Sequence, residues 1–538
     1  MSLARQSVFV AALFVAALVT APAARQAPAP RFPLEEATIQ QLQQWMRSGR
    51  YMAIALTRAY LERIRTLDQR GPAIHSMIEL NPDALQIAAD MDRERRAGRV
   101  RGPLHGIPVV IKDNIDTGDR MMTTAGSLAL VGAPAAKDAF VAAKLRGAGA
   151  VILGKTNLSE WANFRSTRSS SGWSGRGGQT KNPYALDRNP CGSSSGTGSA
   201  VAASFAAAGI GTETDGSIVC PAGAVGLVGL KPTVGLVSRT GIVPIAHSQD
   251  TAGPMTRTVA DAAALLGAIA GVDPADAATG DAHGHLVADY TTFLDANALK
   301  GARIGVARAK VTGYNRGTDR LFEQAIADLK RAGAEIVDPA DIGSIGEYDD
   351  AELQVLLYEF KVDLNAYLAT RSGVPIKTLK DAIAFNERNQ ESELPFFGQE
   401  LFLQSEGKGP LTEEEYAKAL EKSRKSAREG IDDTLKKHRL DAIVAPTGGP
   451  AWPTDLVNGD HFTGSSSTPA AVAGYPTITV PMGDVFGLPV GLTFIGTAWS
   501  EGRLLALAYA YEQATKHRTA PRFLPSVKYQ TTATATRP

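Results

Sequence analysis

The chain has 538 residues, of which 44% are hydrophobic and 21% charged, and its formal net charge is +1. This length is ample for a large buried core and would accommodate up to three domains. The balanced charge gives no electrostatic case for nucleic-acid binding, whereas a small uncharged substrate is compatible with it.

The N-terminal thirty residues have the pattern of a secretory signal peptide. Arg5 supplies a short basic segment, residues 8–19 are an apolar run of twelve, and small residues near Ala23 offer a cleavage site. Twelve residues are too few to span a bilayer about 30 Å thick, which disfavours an uncleaved anchor. We therefore expect a signal peptide over residues 1–24, export to the periplasm or secretion, and no membrane span in the mature protein.

The first half of the mature chain alternates helices and strands. Residues 34–67 predict two amphipathic helices, because apolar residues recur at spacings of three and four. Residues 109–112, 150–153 and 209–212 are apolar and predict strands, and residues 138–147 predict a helix between the first two. This alternation favours an α/β sandwich.

The second half repeats the pattern and adds helices. Residues 301–308 and 334–339 predict strands, and residues 318–332 predict the helix between them. Residues 349–437 are richly charged and predict a mostly helical insertion over the sheet that shapes the substrate cleft. Residues 441–446 predict a further strand, and the loop after it, rich in proline and glycine, fits the rim of a cleft.

Two segments rich in glycine and serine point to the chemistry. PCGSSSGTGSAVAA begins at Pro190, and GTETDGSIVCPAGAVGLVGLKP begins at Gly211 and contains Ser217. Upstream, Lys112 ends an apolar run that starts at Ile107. Burial there would lower the pKa of the lysine from about 10.4 and leave the amine neutral. A hydroxyl, a neutral amine and the backbone N–H groups of a tight turn are the parts of a serine hydrolase that uses lysine as its base.

With these motifs the chain resembles the amidase signature family of hydrolases, whose signature contains a lysine strand, a GGSSGG-like loop and a GGSI-like turn. The similarity runs from about residue 106 to 260 and resumes in GYPTITVPMG and GLPVGLTFIG. It implies one large α/β/α sandwich with a mixed central sheet over residues 30–520, with its signature core at about 100–260 and the helical insertion at about 349–437. We expect residues 521–538 to be a disordered tail.

The resemblance also assigns roles to particular residues. It implies a Ser-Ser-Lys triad with Ser217 as the acylated nucleophile, Ser193 as the bridging serine that relays the proton and Lys112 as the base. It implies a cis peptide bond between Gly192 and Ser193, and no metal or organic cofactor. The oxyanion hole is implied to consist of four main-chain N–H groups, those of Thr214, Asp215, Gly216 and Ser217.

The particular residues of the second motif give information on the substrate. GTETDGSIVCPA, followed by SQDTAGPMTRTVADAA, is similar to bacterial peptide amidases, which remove the amide from peptide C termini. Two positions depart from the common turn GGSIR, with Asp215 for the first glycine and Val219 for the arginine. We expect hydrolysis of a carboxamide, preferably the C-terminal amide of a peptide, to a carboxylate and ammonia. Residues that contact substrate side chains are expected between Tyr358 and Phe462.

Two other functions are compatible with the same motifs. A glutamine-hydrolysing subunit that feeds ammonia to an amidotransferase (an A-type subunit) also resembles the family, but its partners are cytoplasmic and the export signal argues against it. The second alternative belongs to a different functional class: an exported binding protein that has the same fold but does not catalyse a reaction.

Three further motifs suggest other chemistry, but their contexts disfavour it. Residues 192–196 fit the G-x-S-x-G nucleophile elbow with Ser194 as nucleophile, yet no strand is predicted before them. Residues 149–156 match a phosphate-binding loop, but the four intervening residues predict a strand. Ser405 and Lys408 form an S-x-x-K in a polar segment that predicts a solvated loop.

The chain contains two cysteines, and both lie in the serine-rich motifs, Cys191 before Ser193 and Cys220 after Ser217. In an oxidising compartment they can pair if their Cα atoms come within about 7 Å. The alternative of two small, unpaired packing residues is the interpretation that the sequence favours. Neither cysteine has the spacing of a metal ligand.

Overall fold

The computed structural model describes residues 32–527. The predicted signal peptide and residues 528–538 of the predicted tail lie outside the described residues. From Glu36 onward, the described chain belongs to one compact unit. None of the helices in residues 32–527 combines the length and apolar character needed to cross a bilayer.

A large mixed sheet organises the molecule. Eleven of the described strands form it in the order β1-β3-β2-β6-β8-β7-β12-β13-β11-β9-β10, and β4 and β5 pair separately. β2 runs parallel to β3 and β6, whereas β6 is antiparallel to β8, which confirms the mixed sheet. The strands are β1 (Met77–Leu80), β2 (Pro108–Lys112), β3 (Val151–Thr156), β4 (Trp173–Ser174), β5 (Gly178–Gln179), β6 (Ala208–Glu213), β7 (Val228–Lys231), β8 (Thr251–Thr256), β9 (Arg303–Val306), β10 (Glu335–Val337), β11 (Ala442–Pro446), β12 (Thr477–Val485) and β13 (Leu488–Ile495).

Helices flank the sheet, as the predicted α/β sandwich requires. They are α1 (Ile39–Arg47), α2 (Ala53–Arg63), α3 (Ala84–Arg96), α4 (Phe140–Gly147), α5 (Ser195–Ala202), α6 (Val219–Ala224), α7 (Val259–Ile269), α8 (Arg316–Arg331), α9 (Asp349–Ala369), α10 (Leu379–Arg388), α11 (Gln390–Glu393), α12 (Glu400–Glu406), α13 (Glu414–His438), α14 (Thr468–Ala473) and α15 (Glu501–Thr515).

The predicted strands and helices all have counterparts, with boundaries that differ for local reasons. The strand predicted at residues 150–153 continues to Thr156, because its second half pairs with β1. The helix predicted from residue 318 begins at Arg316, since the Asn315 side chain accepts hydrogen bonds from the N–H groups of Gly317 and Thr318 and so caps the helix.

Helix α5 lies unusually close to the sheet because its residues are small. All eight of its residues are buried. A Cβ on Gly196 would lie 2.4 Å from the carbonyl oxygens of Ser76 and Asn157, so a larger residue does not fit there. A Cβ on Gly209 of β6 would come within 2.6 Å of the Thr197 side chain of α5. This close approach holds the loop before α5 at the end of β2 and β6.

The predicted helical insertion is present as helices α9 to α13. Its apolar residues pack against the segment around Trp161 and Phe164, and Phe360 and Phe402 lie in this contact. The insertion therefore fixes the position of the chain that follows β3.

The C-terminal segment stays packed on the domain beyond the predicted start of the tail. Leu524 forms a β-bridge with Ala185, and the N–H of Phe523 donates to the carbonyl of Pro183. Order therefore continues past residue 521 in the described part of the chain.

Candidate active site

A cavity of about 430 Å³ lies beside the end of β6. Its wall is made of Ile245, Leu356 and parts of four stretches of chain, residues 162–171, 191–192, 214–220 and 452–468. The two serine-rich motifs thus meet at one wall of this cavity.

Lys112 is the last residue of β2, and its side chain is fully buried. Its Nζ lies 2.8 Å from Ser193 Oγ, 2.8 Å from Thr212 Oγ1 and 3.3 Å from the Thr212 carbonyl. Burial lowers its pKa to about 7, and the more distant charges of Asp250 and Glu213 partly oppose this shift. A neutral amine satisfies all three contacts, because its two N–H groups donate to Thr212 and its lone pair accepts from the Ser193 hydroxyl.

The loop before α5 carries Ser193 with its side chain fully buried. The Gly192–Ser193 peptide bond is cis, which confirms the prediction. A Cβ on Gly192 would lie 2.2 Å from Ser159 Oγ, so any larger residue here requires Ser159 or the loop to move. The N–H of Ser159 donates to the Ser193 carbonyl at 3.1 Å, and its hydroxyl accepts from the Gly172 N–H at 2.9 Å. These contacts fix the loop beneath Lys112.

Ser217 lies in the turn between β6 and α6 and lines the cavity. Its carbonyl accepts a hydrogen bond of 3.1 Å from the N–H of Ser194, which joins the two motifs directly. Glu213 accepts from the N–H groups of Ile218 and Val219 at 2.7 and 3.0 Å and so holds the start of α6. Ser217 is 8% exposed while Ser193 is fully buried, so Ser217 is the serine that a ligand reaches first.

The turn offers hydrogen-bond donors to a ligand. Within residues 32–527 no protein acceptor is found for the N–H groups of Thr214, Asp215, Gly216 and Ser217. All four residues line the cavity, and Gly216 adopts a φ of +75° that favours glycine. Such a turn can bind a negatively charged oxygen.

Asp215, which departs from the family's common glycine, ties the turn to a distant segment. Its carboxylate accepts hydrogen bonds from the hydroxyls of Ser467 and Thr468, the latter at 2.7 Å. Burial raises the pKa of this carboxyl group, and the two hydroxyls partly offset that effect.

Several residues around the site were not predicted from the sequence. Thr212 contacts Lys112 directly, and Asn114 donates to Thr212 Oγ1 at 3.0 Å. Thr212 lies within a quoted motif and Asn114 lies two residues after Lys112, yet their contact depends on the alignment of β2 with β6, which spacing does not reveal. Asp250, which accepts from the Thr214 hydroxyl, lies within the quoted segment SQDTAGPMTRTVADAA, but nothing in that segment indicates its contact with the nucleophile turn.

The range expected for substrate contacts, from Tyr358 to Phe462, overlaps the lining of the cavity. Trp452 and Phe462 line the cavity within this range. Residues 162–171 and 465–468 also contribute lining residues but were missed, because they are irregular segments without a periodic pattern.

The competing motifs have other roles in the structure. The Ser194 hydroxyl donates to the Thr212 carbonyl at 3.0 Å, and a loop, not a strand, precedes it. Residues 151–156 form β3, as the strand interpretation predicted. Ser405 is fully buried in α12, and Lys408 donates to Gln354, so the predicted solvated loop is wrong for this serine.

The two cysteines form a disulfide, with their Cα atoms 6.0 Å apart. The interpretation favoured from the sequence, two unpaired packing residues, is therefore wrong. The pairing follows from the meeting of the two motifs, which brings Cys191 and Cys220 to the same cavity wall.

Comparison with known proteins identifies the family. A family model described as Amidase matches residues 55–505. The chain belongs to the amidase family. A probable amidase of Arabidopsis thaliana is 43% identical over 502 residues, which cover 92% of this chain and 93% of that protein. A glutamyl-tRNA(Gln) amidotransferase subunit from Thermoanaerobacter pseudethanolicus is 35% identical over 514 residues, covering 90% of this chain and 98% of that one.

A solved structure gives the same result for the fold. The native peptide amidase from Stenotrophomonas maltophilia has a TM-score of 0.89 and 54% sequence identity, covering 92% of this chain and 100% of that chain. Family membership and this structural match make the protein a hydrolase of amide C–N bonds.

The fit of Gly192 can be tested by substitution. Gly192→Ala is expected to lower kcat/KM for amide hydrolysis by about 10²-fold, because relief of the clash with Ser159 displaces Ser193. Gly147→Ala is the matched control, since nothing lies within 4 Å of a Cβ added there, and it should keep full activity. Ammonia release by both folded variants is the measurement. Full activity in Gly192→Ala would contradict the tight packing of this loop.

Proposed function

We propose that the protein hydrolyses carboxamides through an acyl-enzyme on Ser217, with Ser193 as proton relay and Lys112 as base. The observation that carries this proposal is the 2.8 Å contact between Lys112 Nζ and Ser193 Oγ at a fully buried position. An amine without its charge is available there near neutral pH, which is what activation of a serine requires.

Acylation begins when Ser217 Oγ attacks the carbonyl carbon of the substrate amide. The proton of Ser217 passes to Ser193 Oγ while the proton of Ser193 passes to Lys112 Nζ, which becomes an ammonium. The substrate carbonyl oxygen becomes the oxyanion of a tetrahedral intermediate. In the proposal it accepts hydrogen bonds from the turn Thr214–Ser217, whose N–H groups have no protein acceptor in residues 32–527.

The intermediate then collapses and the C–N bond breaks. The relay returns a proton from Lys112 through Ser193 to the leaving nitrogen, so an unsubstituted amide leaves as ammonia. Water attacks the resulting ester by the same route, which releases the carboxylate and restores Ser217. Fixed N–H donors contribute to both steps, and loss of one donor typically raises the barrier by about 3–4 kcal/mol.

The preferred substrate is the C-terminal amide of a peptide. The 54% identity to a peptide amidase supports this choice over a glutamine-hydrolysing subunit, whose relative is 35% identical. The cavity supports it as well, because its lining includes exposed apolar surface suited to a peptide chain. Phe462 there is 51% exposed and packs edge-on against Trp452.

The proposal is tested by measuring ammonia release from C-terminal peptide amides, free glutamine and simple alkyl or aryl amides. Peptide amides are expected to have the highest kcat/KM. Ser217→Ala and Lys112→Ala are each expected to lower it by at least about 10³-fold, because they remove the nucleophile and the base. Ser405→Ala, a buried serine outside the cavity, is the matched control and should retain activity.

The outcomes separate the parts of the proposal. Full activity in the Ser217→Ala variant would overturn the proposed mechanism. Preference for glutamine or small amides, abolished by the same substitution, would remove only the peptide amide assignment.

The pH profile tests the state of Lys112. The neutral amine is the active form, and the pKa is lowered to about 7, so kcat/KM should rise with pH through about 7 and then level off.

The negative charge of Asp250 favours the ammonium form of Lys112, so Asp250→Asn should lower the pKa of Lys112 and move the rising part of the pH profile to lower pH. Asp338→Asn, in an exposed pair with Arg308, should leave the rising part in place. A rising part that Asp250→Asn leaves unmoved, or moves to higher pH, would contradict this assignment.

We also propose that the protein is exported. The predicted signal peptide supports this, as does the disulfide, since disulfides persist mainly in oxidising compartments. Mass spectrometry of the protein from expressing cells should find a mature N terminus near residue 25 in the periplasmic or secreted fraction. Full-length chain confined to the cytoplasm would contradict export.

A further inference from the structure

The disulfide lies inside the proposed active site. Cys191 directly precedes the Gly192–Ser193 peptide bond, and Cys220 lies in the first turn of α6, just after Ser217. Both cysteines line the cavity. The bond joins residues 29 positions apart, and the closed loop contains both serines of the proposed triad.

Each cysteine is hydrogen-bonded through its backbone to a part of the site. The N–H of Cys220 donates to the Gly216 carbonyl at 2.8 Å, within the turn that carries Ser217. The carbonyl of Cys191 accepts from the Ser195 hydroxyl at 2.6 Å, and its N–H donates to Asn189 Oδ1 at 2.8 Å. The disulfide therefore fixes the position of the loop that carries Ser193 relative to the turn that carries Ser217.

Hydrogen bonds also join the loop before α5 to the turn that carries Ser217, but they lie away from the cavity. They involve Ser194, whose N–H contacts Ser217 and whose hydroxyl contacts Thr212. Ser194 is fully buried and does not line the cavity. The disulfide is therefore the link on the cavity side, where Ser217 meets the substrate.

The other side-chain restraints act on the first half of the nucleophile turn, where the Asp215 carboxylate accepts from Ser467 and Thr468 and the Thr214 hydroxyl donates to Asp250. The four N–H groups of the turn have no protein acceptor within the described residues, and the helix that follows has only six residues. A small displacement matters here, because a shift of about 1 Å in a reacting group can cost about 10²-fold in rate.

We infer that Cys191 and Cys220 are positioning residues whose disulfide aligns Ser217 with Ser193, so that the reduced enzyme stays folded but turns over more slowly. This inference rests on the proposed function. The fold itself does not need the bond, since β6 between the loops pairs with β2 and β8 in the sheet and α5 is buried along its whole length.

Reduction of the disulfide by a dithiol is balanced in electrons and protons. The two thiols of the reductant lose two electrons and two protons and form their own disulfide, while Cys191 and Cys220 gain them and become two thiols. The cavity lining gives a small dithiol access to the bond.

The test compares the oxidised enzyme with enzyme reduced by dithiothreitol under anaerobic conditions. Thiol titration after denaturation should give none before reduction and two after it. On the amide that the enzyme hydrolyses best, kcat should fall by at least about tenfold, within the range that a shift of about 1 Å produces. KM should stay within about twofold, far-ultraviolet circular dichroism should be unchanged, and reoxidation should restore kcat.

A double variant, Cys191→Ser with Cys220→Ser, is the matched control. It should have the lowered kcat of the reduced enzyme and should not respond to dithiothreitol. An unchanged kcat in both the reduced enzyme and the folded variant would overturn the inference. A fall in kcat that tracks loss of circular dichroism would also overturn it, since the bond would then only stabilise the fold.

Ser217→Ala separates this inference from the proposed function. If that variant remains active, the proposed mechanism fails. If it is inactive while reduction leaves kcat unchanged, only the positioning role of the disulfide fails.

Discussion

The burial of one lysine amine at the end of a central strand is the constraint on which the site depends. Lys112 contacts two hydroxyl groups and a carbonyl, and the carboxylates of Asp250 and Glu213 act on it only from a distance. A carboxylate in direct contact would stabilise the ammonium and remove the base. The neutral partners around Lys112 let desolvation dominate and hold its pKa near 7.

Two other buried lysines show how much the partners matter. Lys155 lies near the end of β3, opposite Ile111 of β2, and burial lowers its pKa as well, but the charges of Asp113 and Asp116 oppose that shift and the amine donates to the Ile115 carbonyl at 2.6 Å. Lys231 ends β7, and its pKa is lowered only to about 8, with Glu213 as its main opposing charge. These three lysines are equally buried, and only Lys112 contacts a serine of the proposed triad.

The sequence predicts the framework of this site well, because the framework follows from local composition. Apolar runs predict β2, β3 and β6, and the small residues of α5 indicate a helix packed closely on a sheet. Local composition does not group Lys112, Ser193 and Ser217 into one site. That grouping comes from the family resemblance. Distances across the sheet, such as that between Lys112 and Thr212, depend on register and have no signature in one sequence.

The parts that were missed or misjudged are those set by tertiary contacts. The spacing of Cys191 and Cys220 gives no information on a Cα separation of 6.0 Å, so the disulfide was not favoured. Residues 162–171 take their course from the packing of the helical insertion. Trp161 and Ala162, just before and at its start, have positive φ values of 51° and 52°, which no periodic pattern indicates. Ser405 is buried by the same insertion despite its polar neighbours.

The contact of Asp215 with Ser467 and Thr468 links positions more than two hundred and fifty residues apart in the chain. During synthesis, every residue of the signature, from Lys112 to Ser217, leaves the ribosome long before this partner segment exists. Domains generally fold as units while the chain emerges from its N terminus. The nucleophile turn therefore acquires its final restraint only when the C-terminal part of the sheet is complete, so a nascent or truncated chain carries the whole signature without the finished site.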